Sequence, residues 1–259
     1  MADAVLYEVD ADGVCLITLN RPDAGNSWNN DLGQGFVLRA PLPAPFSVLR
    51  APAPHHAPSS SAGSVSRSVL SSAGSVSRAA CRYYEALDRA GADSSVRVIV
   101  LTGAGKLFCA GADIGGLSAQ SQEEVPGESD AFAGSGKAKK PTKNYLINHA
   151  STIPKPIIVA INGSAAGMGL SIACSCDIRF AAEGAKLTPA FSKRGLIAEH
   201  DLSWSLPHLI GTSRAMHWLM TSDVVLSEQA KEYGLVTEVY PRDELLPAVM
   251  AFAKDLAIK

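Results

Sequence analysis

Apolar and polar positions alternate in two ways along the chain. Residues 5–9 and 14–19 flank the tetrapeptide Asp-Ala-Asp-Gly, a pattern that predicts a β-hairpin. Residues 96–103 and 155–163 are runs rich in Val and Ile that end in glycine, which is typical of buried parallel strands. Two further strands are predicted on either side of positions 183 and 184, within residues 178–188. Apolar residues at helical spacing occupy four segments: 83–91, 212–222, 227–236 and 243–256. Strands that alternate with helices predict an α/β fold.

One long segment does not follow either pattern. From about position 34 to 80 the chain is rich in serine and proline, and no acidic residue occurs between Asp31 and Glu85. The heptapeptide SAGSVSR occurs there twice, which is too few copies for a solenoid. Because this composition offers little apolar surface to bury, we predict a disordered insertion at 34–80 inside a single domain of residues 1–259. A second glycine-punctuated segment, 118–143, is predicted to be a mobile loop that walls or covers a pocket.

Composition and charge exclude several classes of function. The 259 residues are 47% hydrophobic and 19% charged, as in an ordinary globular enzyme, and the net charge is −2. This balance gives no reason to expect a nucleic-acid or membrane partner, and no apolar run is long enough to span a bilayer. The start of the chain lacks the pattern of a secretory signal. The five cysteines are scattered, and Cys174-x-Cys176 has no second pair to complete a metal site. We therefore expect a cytoplasmic protein with reduced, buried thiols and no metal.

Two glycine turns carry the candidate chemistry. The first, Cys109-Ala110-Gly111-Ala112-Asp113-Ile114, is neither a phosphate loop nor a dinucleotide fingerprint, because valine and phenylalanine stand where those motifs need glycine. The second is Gly167-Met168-Gly169, which runs into an apolar helix. Glycine turns at helix starts can present backbone N–H groups to an anion or a developing oxyanion. On spacing alone the signal is weak, because glycine turns between strands and helices are usually only tight structural turns.

Four blocks in the chain make a more specific comparison possible. They are LNRPDAGNSWNNDL, VIVLTGAGKLFCAGADIGGL, KPIIVAINGSAAGMGLSIACSCDIRFAAEGAKLT and SEQAKEYGLVTEVY. Together, and in this order, they resemble the enoyl-CoA hydratase/isomerase (crotonase) superfamily over nearly the whole chain outside the insertion. The resemblance implies the crotonase (ClpP-like) fold, a spiral of ββα units. It also implies acyl-CoA chemistry without a separate cofactor, since coenzyme A is part of the substrate, and a homo-oligomer, either trimer or hexamer.

The resemblance also assigns roles to individual positions. It implies that the backbone N–H groups of Ala112 and Met168 form an oxyanion hole for the thioester carbonyl. Such donors contribute roughly 2.7–4 kcal/mol each in oxyanion holes. Met168 replaces the glycine that is more usual in the middle of this turn. Positions expected to line the substrate site are Ala24, Asn26, Ala110, Gly111, Asp113, Ile114, Gly167, Gly169 and Phe191.

The resemblance also implies which group moves the proton. Hydratases of this superfamily use two glutamates, but the matching positions here hold Ser171 and Phe191. Glu199 lies four residues after Gly195, where double-bond isomerases of the superfamily carry their single acid. We therefore expect Δ3–Δ2 enoyl-CoA isomerisation with Glu199 as the only acid/base. Burial beside Phe191 and Leu196 would raise its pKa and strengthen it as a base.

Several neighbouring residues and departures from the family bear on this hypothesis. His200 is interpreted as a surface or capping residue, Trp204 as part of the core, and Asp201 stands where relatives often have glycine. The insertion interrupts an expected helix, and the C-terminal helical region that follows in relatives is expected to be truncated. Two alternatives therefore stay open: hydrolytic chemistry on an aryl-CoA, with Glu199 as nucleophile, and a catalytically weak homologue that only binds acyl-CoA.

Overall fold

The structure, a computed structural model, describes residues 3–27, 82–111 and 147–259. The predicted insertion at 34–80 and the predicted loop at 118–143 lie outside the described residues, and both stay predictions. Ala112, Asp113 and Ile114 also lie outside them. None of the helices in the described ranges is long and apolar enough to cross a lipid bilayer.

A six-stranded sheet forms the centre of the described structure. The predicted hairpin is confirmed: β1 (Val5–Val9) pairs antiparallel with β2 (Val14–Leu19), and Val5 stands opposite Leu19. The carboxylate of Asp10 closes the turn between them by accepting the N–H groups of Asp12 and Val14 at 3.0 and 2.9 Å. From β2 the sheet continues with parallel strands in the order β3 (Val98–Gly103), β4 (Ile157–Ile161), β6 (Ile178–Ala182) and β9 (Glu238–Tyr240).

A smaller sheet of three strands carries the second glycine turn. It contains β5 (Ala165–Ala166), β7 (Lys186–Thr188) and β8 (Val225–Leu226), with β5 parallel to β7 and β8 antiparallel to it. The two strands predicted around positions 183 and 184 are both present, as β6 and β7. They belong to different sheets because the chain turns between them at Gly184, whose φ is 66°. The chain therefore passes from the large sheet to the small sheet at this glycine.

Six α-helices accompany the sheets within the described ranges. They are α1 (Arg82–Ala92), α2 (Met168–Cys174), α3 (Leu202–Ile210), α4 (Thr212–Thr221), α5 (Ser227–Glu232) and α6 (Arg242–Ala257). Short 3₁₀ helices occur at Pro22–Ala24, Ile147–Thr152 and Ser192–Arg194. The four helices predicted from spacing correspond to α1, α4, α5 and α6.

The central strands β3 and β4 are buried on both faces, which explains why they read as unbroken apolar runs. In β3, Ile99 and Leu101 contribute to the main core, together with residues of α1, α2, α3 and α4. Val98 and Val100 contribute to a second core beneath α6, which supplies Leu245, Val249, Ala253 and Ala257. The helices thus fix the sheet from both sides, and the glycine turns follow the ends of β3 and β4 at its edge.

Candidate active site

The two glycine turns lie directly against each other. Cys109 pairs with Ala165 in an isolated parallel bridge, and the Ala166 N–H donates to the Cys109 carbonyl at 3.0 Å. A Cβ on Gly111, whose φ is 95°, would stand 2.8 Å from the Ala166 carbonyl oxygen. A Cβ on Gly169 would stand 2.3 Å from the Cys109 carbonyl oxygen. Glycine at these positions therefore permits a backbone contact that no other residue allows.

The second turn presents one backbone donor. α2 begins at Met168, after Gly167 in a left-handed conformation with φ 51°. The first N–H groups of a helix have no intrahelical acceptor. Within residues 3–27, 82–111 and 147–259 nothing accepts the Met168 N–H, and its nitrogen lies 3.9 Å from where a Cβ on Gly111 would stand. Met168 is 3% exposed, and its side chain packs in the main core.

The loop around Ala24 packs on the first glycine turn. The Ala110 N–H donates to the Gly25 carbonyl at 3.0 Å, which brings the two predicted substrate-binding segments together. Asn26 is completely buried, and its side chain forms hydrogen bonds within the protein. Its Oδ1 accepts the Arg21 N–H at 2.7 Å, and its Nδ2 donates to the carbonyls of Ala104 and Leu107 at 2.9 and 2.8 Å. Asn26 thus shapes this loop through the hydrogen bonds of its side chain, and its place in the substrate site stays a prediction.

Glu199 lies between the Ser192–Arg194 turn and α3. Its side chain is 9% exposed, although Leu196 nearby is 48% exposed. Phe191 is buried, at 6% exposed, whereas Leu196, which was expected to be buried with it, is not. Burial raises the pKa of the Glu199 carboxyl above its ordinary value of 4.5. A carboxyl in this state is a stronger base once ionised than an exposed glutamate.

His200, directly after Glu199, differs from its interpretation as a surface or capping residue. The His200 side chain is 11% exposed and not on the surface, and burial lowers its pKa to about 4. Its Nε2 lies 3.5 Å from Oε2 of Glu199. Asp201 has a φ of 69°, which explains why glycine suits this position, and burial raises the pKa of its carboxyl even though Asn148 donates to it. Sequence periodicity gives no signal for either left-handed residue.

Other side chains near the glycine turns have structural contacts. Ser171, in a position where hydratases hold a glutamate, is 2% exposed, and its hydroxyl donates to the Gly167 carbonyl at 3.3 Å. Trp204, expected in the core, is instead 57% exposed and stacks on His208 with ring centroids 4.1 Å apart. Trp218 is buried, as expected.

Comparison with known proteins decides the family. The model of the enoyl-CoA hydratase/isomerase family matches residues 81–259. The chain belongs to this family, within the crotonase superfamily. The 1,2-epoxyphenylacetyl-CoA isomerase of Escherichia coli (strain K12) is 35% identical over 173 residues, which are 67% of this chain and 63% of that protein. The 4-chlorobenzoyl coenzyme A dehalogenase-1 of an Arthrobacter species is 34% identical over 174 residues, which are 67% of this chain and 60% of that protein. The chain thus matches less than two thirds of the length of these relatives.

Solved structures confirm the crotonase fold. The enoyl-CoA hydratase EchA12_1 from Mycobacterium marinum superposes with a TM-score of 0.65 and 33% sequence identity, covering 99% of this chain and 89% of that one. An enoyl-CoA hydratase/isomerase from Mycobacterium abscessus gives a TM-score of 0.68 and 27% identity, covering 98% of this chain and 77% of that one. The names of these crotonase relatives span isomerase, dehalogenase and hydratase, so the family shows acyl-CoA chemistry and leaves the reaction open.

The cysteine thiols in the described part of this crotonase-family chain are buried. Cys15, Cys109, Cys174 and Cys176 are free and buried, while Cys81 lies outside the described residues. Burial raises the pKa of Cys109 to about 11 and that of Cys174 to about 12, so neither is a thiolate at neutral pH. Across the described ranges, no group of three His, Cys, Asp or Glu residues is arranged to hold a metal ion.

Proposed function

We propose that the protein isomerises a Δ3-enoyl-CoA to the Δ2-enoyl-CoA, with Glu199 as its single acid/base. The Glu199 carboxylate removes a proton from C2, and the electron pair moves onto the thioester oxygen to give a dienolate. The same carboxylic acid then returns the proton to C4, so the double bond moves from C3–C4 to C2–C3. No co-reactant is consumed, and one carboxyl is sufficient.

The buried carboxyl of Glu199 is the observation that carries this proposal. It is a glutamate in the isomerase position of the family pattern, its side chain is 9% exposed, and its pKa is raised by burial. Ser171 and Phe191 occupy the positions where two-carboxylate hydratases hold glutamates. A chain with this set of side chains can move a proton but has no second carboxylate there to activate water.

The oxyanion hole in this proposal consists of the N–H groups of Met168 and Ala112. The Met168 N–H is available at the start of α2, and Ala112 directly follows Gly111, whose backbone packs against Ala166 and Met168. The acyl-CoA is proposed to lie along the two glycine turns and the Ala24 loop, with Asp113, Ile114 and Phe191 beside the acyl group. A trimer or hexamer of this chain stays a prediction for a sizing experiment.

Replacement of the proton-moving group tests the isomerase proposal directly. Conversion of Δ3-enoyl-CoA is followed by the absorbance of the conjugated thioester, for the wild type and for Glu199→Gln. We expect Glu199→Gln to lose about 10²- to 10⁴-fold in kcat, the usual contribution of a general acid/base. Glu183→Gln, a change at an exposed glutamate, is the matched control. Equal rates for wild type and Glu199→Gln would remove Glu199 from the mechanism.

A second candidate function is favoured by the similarity to 4-chlorobenzoyl coenzyme A dehalogenase-1. In that chemistry a carboxylate attacks the ring carbon, halide leaves, and water then hydrolyses the aryl ester on the protein. Halide release from 4-chlorobenzoyl-CoA, with ¹⁸O from labelled water found in the Glu199 carboxyl after one turnover, would establish it. Tight binding of CoA esters with neither reaction would identify a chain that only binds acyl-CoA.

A further inference from the structure

The backbone around Glu199 is held in an uncommon conformation. Five non-glycine residues of the described ranges have a positive φ, and two of them, His200 (55°) and Asp201 (69°), follow Glu199 directly. Left-handed backbone is unfavourable for residues with a Cβ, and it persists only where the surrounding contacts enforce it. Such strain tends to occur at functional sites, so it calls for an explanation here.

Contacts on both sides of the left-handed pair hold it in place. The Leu202 N–H donates to the Glu199 carbonyl at 3.1 Å, and the Trp204 N–H donates to the Asp201 carbonyl at 3.0 Å. The Asp201 carboxyl accepts a hydrogen bond from the side chain of Asn148, in the Ile147–Thr152 helix. The start of α3 is thus anchored to a neighbouring element.

This backbone brings two adjacent side chains together. Consecutive residues of a regular helix face different directions. Here Nε2 of His200 lies 3.5 Å from Oε2 of Glu199, and the two side chains are 11% and 9% exposed. The His200 ring also packs on Phe191, with ring centroids 6.0 Å apart. The left-handed turn therefore produces a buried imidazole–carboxyl pair that a helix would separate.

We propose that His200 is a positioning residue, whose Nε2–H donates to the Glu199 carboxyl and holds it in one rotamer beside the substrate. This inference rests on the proposed function, in which Glu199 must meet both C2 and C4 of one acyl chain. The N–H···O contact shortens by a small side-chain rotation, as hydrogen bonds of free enzymes do when substrate binds.

The burial of His200 suits this role because it keeps the imidazole neutral. Its pKa of about 4 leaves it uncharged at the pH where the enzyme would work. A charged imidazolium at this distance would stabilise the ionised carboxyl and weaken Glu199 as a base. Burial is the resolved cause of the shift for both groups. The titratable or charged residues on the surrounding elements are His149, Cys174, Lys193, Arg194, Asp201, His208, Arg214 and His217.

Nuclear magnetic resonance of the free protein tests the hydrogen bond without any turnover. In ¹⁵N-histidine-labelled protein, with His200→Gln used to assign the signal, we expect His200 as the neutral Nε2–H tautomer from about pH 8 down to about pH 5. In ¹³C-glutamate-labelled protein, His200→Phe should shift the Glu199 carboxyl resonance and His217→Phe, a change at an exposed histidine on α4, should not. A neutral Nδ1–H tautomer, or a Glu199 signal that ignores His200→Phe, would overturn the proposal.

Kinetics separate positioning from a merely structural role. We expect His200→Phe to lower kcat on Δ3-enoyl-CoA by about 10- to 100-fold with KM nearly unchanged, as for a misplaced catalytic group. His200→Gln, which keeps an N–H donor near the Nε2 position, should recover most of the rate, and His217→Phe should match the wild type. Equal losses in His200→Phe and His200→Gln would contradict positioning. If no acyl-CoA is turned over, the isomerase proposal fails while the resonance experiment still decides the role of His200.

Discussion

The glycine turns that meet at Met168 and the segment that carries Glu199 are built in contrasting ways. The turns are joined to each other by backbone hydrogen bonds, such as Ala166 N–H to the Cys109 carbonyl, and both are followed or preceded by buried strands. The segment before Glu199 is exposed from position 192 to 197, and its backbone–backbone hydrogen bonds are local turns such as Leu196 N–H to the Phe191 carbonyl. One region is a rigid backbone frame, and the other presents side chains from a surface loop.

This contrast offers a physical reason why one fold supports several reactions. The donors proposed to hold the thioester oxygen are main-chain N–H groups. These groups remain when the side chain of the same residue is replaced. The proposed acid/base, Glu199, is a side chain on a connecting segment, and such segments vary more among relatives than the elements they join. Relatives of this chain are named isomerase, dehalogenase and hydratase. We infer that the glycine turns provide the binding of the thioester that these relatives have in common. The segment that carries Glu199 provides the side chains that distinguish their reactions.

The largest expected effect comes from a single methyl group in the frame. Gly169→Ala should destabilise the protein by about 3 kcal/mol, because the new Cβ would stand 2.3 Å from the Cys109 carbonyl oxygen and the two backbones would have to separate. In an open helix the same change would stabilise by up to about 1 kcal/mol. Urea unfolding followed by circular dichroism measures the difference.

Gly91→Ala is the matched control for that substitution. Gly91 also lies in a helix, α1, but a Cβ there would meet only the Ile153 side chain, at 3.3 Å. We expect a change within about 1 kcal/mol of the wild type, since a side chain can move where a carbonyl cannot. If Gly169→Ala were as stable as Gly91→Ala, the glycine turns would not be the rigid frame described above.

A smaller loss of stability is expected where the Ala24 loop joins the frame. Asn26→Ala removes three hydrogen bonds and leaves the Arg21 N–H and the carbonyls of Ala104 and Leu107 without this partner, at a cost of about 2 to 3 kcal/mol. Asn20→Ala, which removes one exposed bond to the Asp3 carbonyl, should cost less than about 1 kcal/mol. Unfolding of both variants with and without a CoA ester separates a structural role from a binding role. A stable Asn26→Ala with lost CoA affinity would make Asn26 a direct ligand.

Regular parts of the fold could be predicted from the sequence because local patterns determine them. The hairpin of β1 and β2 was predicted to the residue, since alternation and the Asp-Gly turn both act over a few positions. The assignment of β6 and β7 to different sheets could not be predicted, because strand partners depend on contacts far along the chain. The same limit applies to Trp204, which is a large apolar residue of the kind usually found in a core but is 57% exposed on α3.

The part of the candidate site that depends on glycine could be predicted from the sequence. The part that depends on strained, left-handed backbone could not. Gly111 and Gly169 mark a close backbone approach, and the structure shows that approach. Glu199 was singled out by its place in the family pattern, and its burial agrees with the role proposed for it. The buried pairing of His200 with Glu199 had no signal, because it depends on two left-handed residues that sequence periodicity treats as an ordinary helix start. The pairing of His200 with Glu199 can therefore be recognised only from the three-dimensional structure.

The smallest expected effect concerns the Glu199 segment and tests whether the buried carboxylate lowers the stability of the folded protein. The pKa of Glu199 is raised above 4.5 by burial, so the folded protein holds this proton more tightly than the unfolded chain does. The free energy of unfolding contributed by Glu199 therefore falls as pH rises from about 4.5 through the folded pKa, and at neutral pH an ionised carboxyl is buried at a cost. Glu199→Gln should remove that cost and gain up to about 1 kcal/mol at about pH 8, while its catalytic rate falls.

The size of this gain must depend on pH if burial of the charge causes it. At about pH 3 the wild-type carboxyl is almost fully protonated in both states, so Glu199→Gln and wild type should unfold at the same urea concentration. Glu183→Gln, at an exposed position, should match the wild type at both pH values. A Glu199→Gln protein that is less stable than wild type at about pH 8 would mean that the carboxylate is held by favourable contacts. The loop would then be a stable structural element, and the contrast with the glycine frame would disappear.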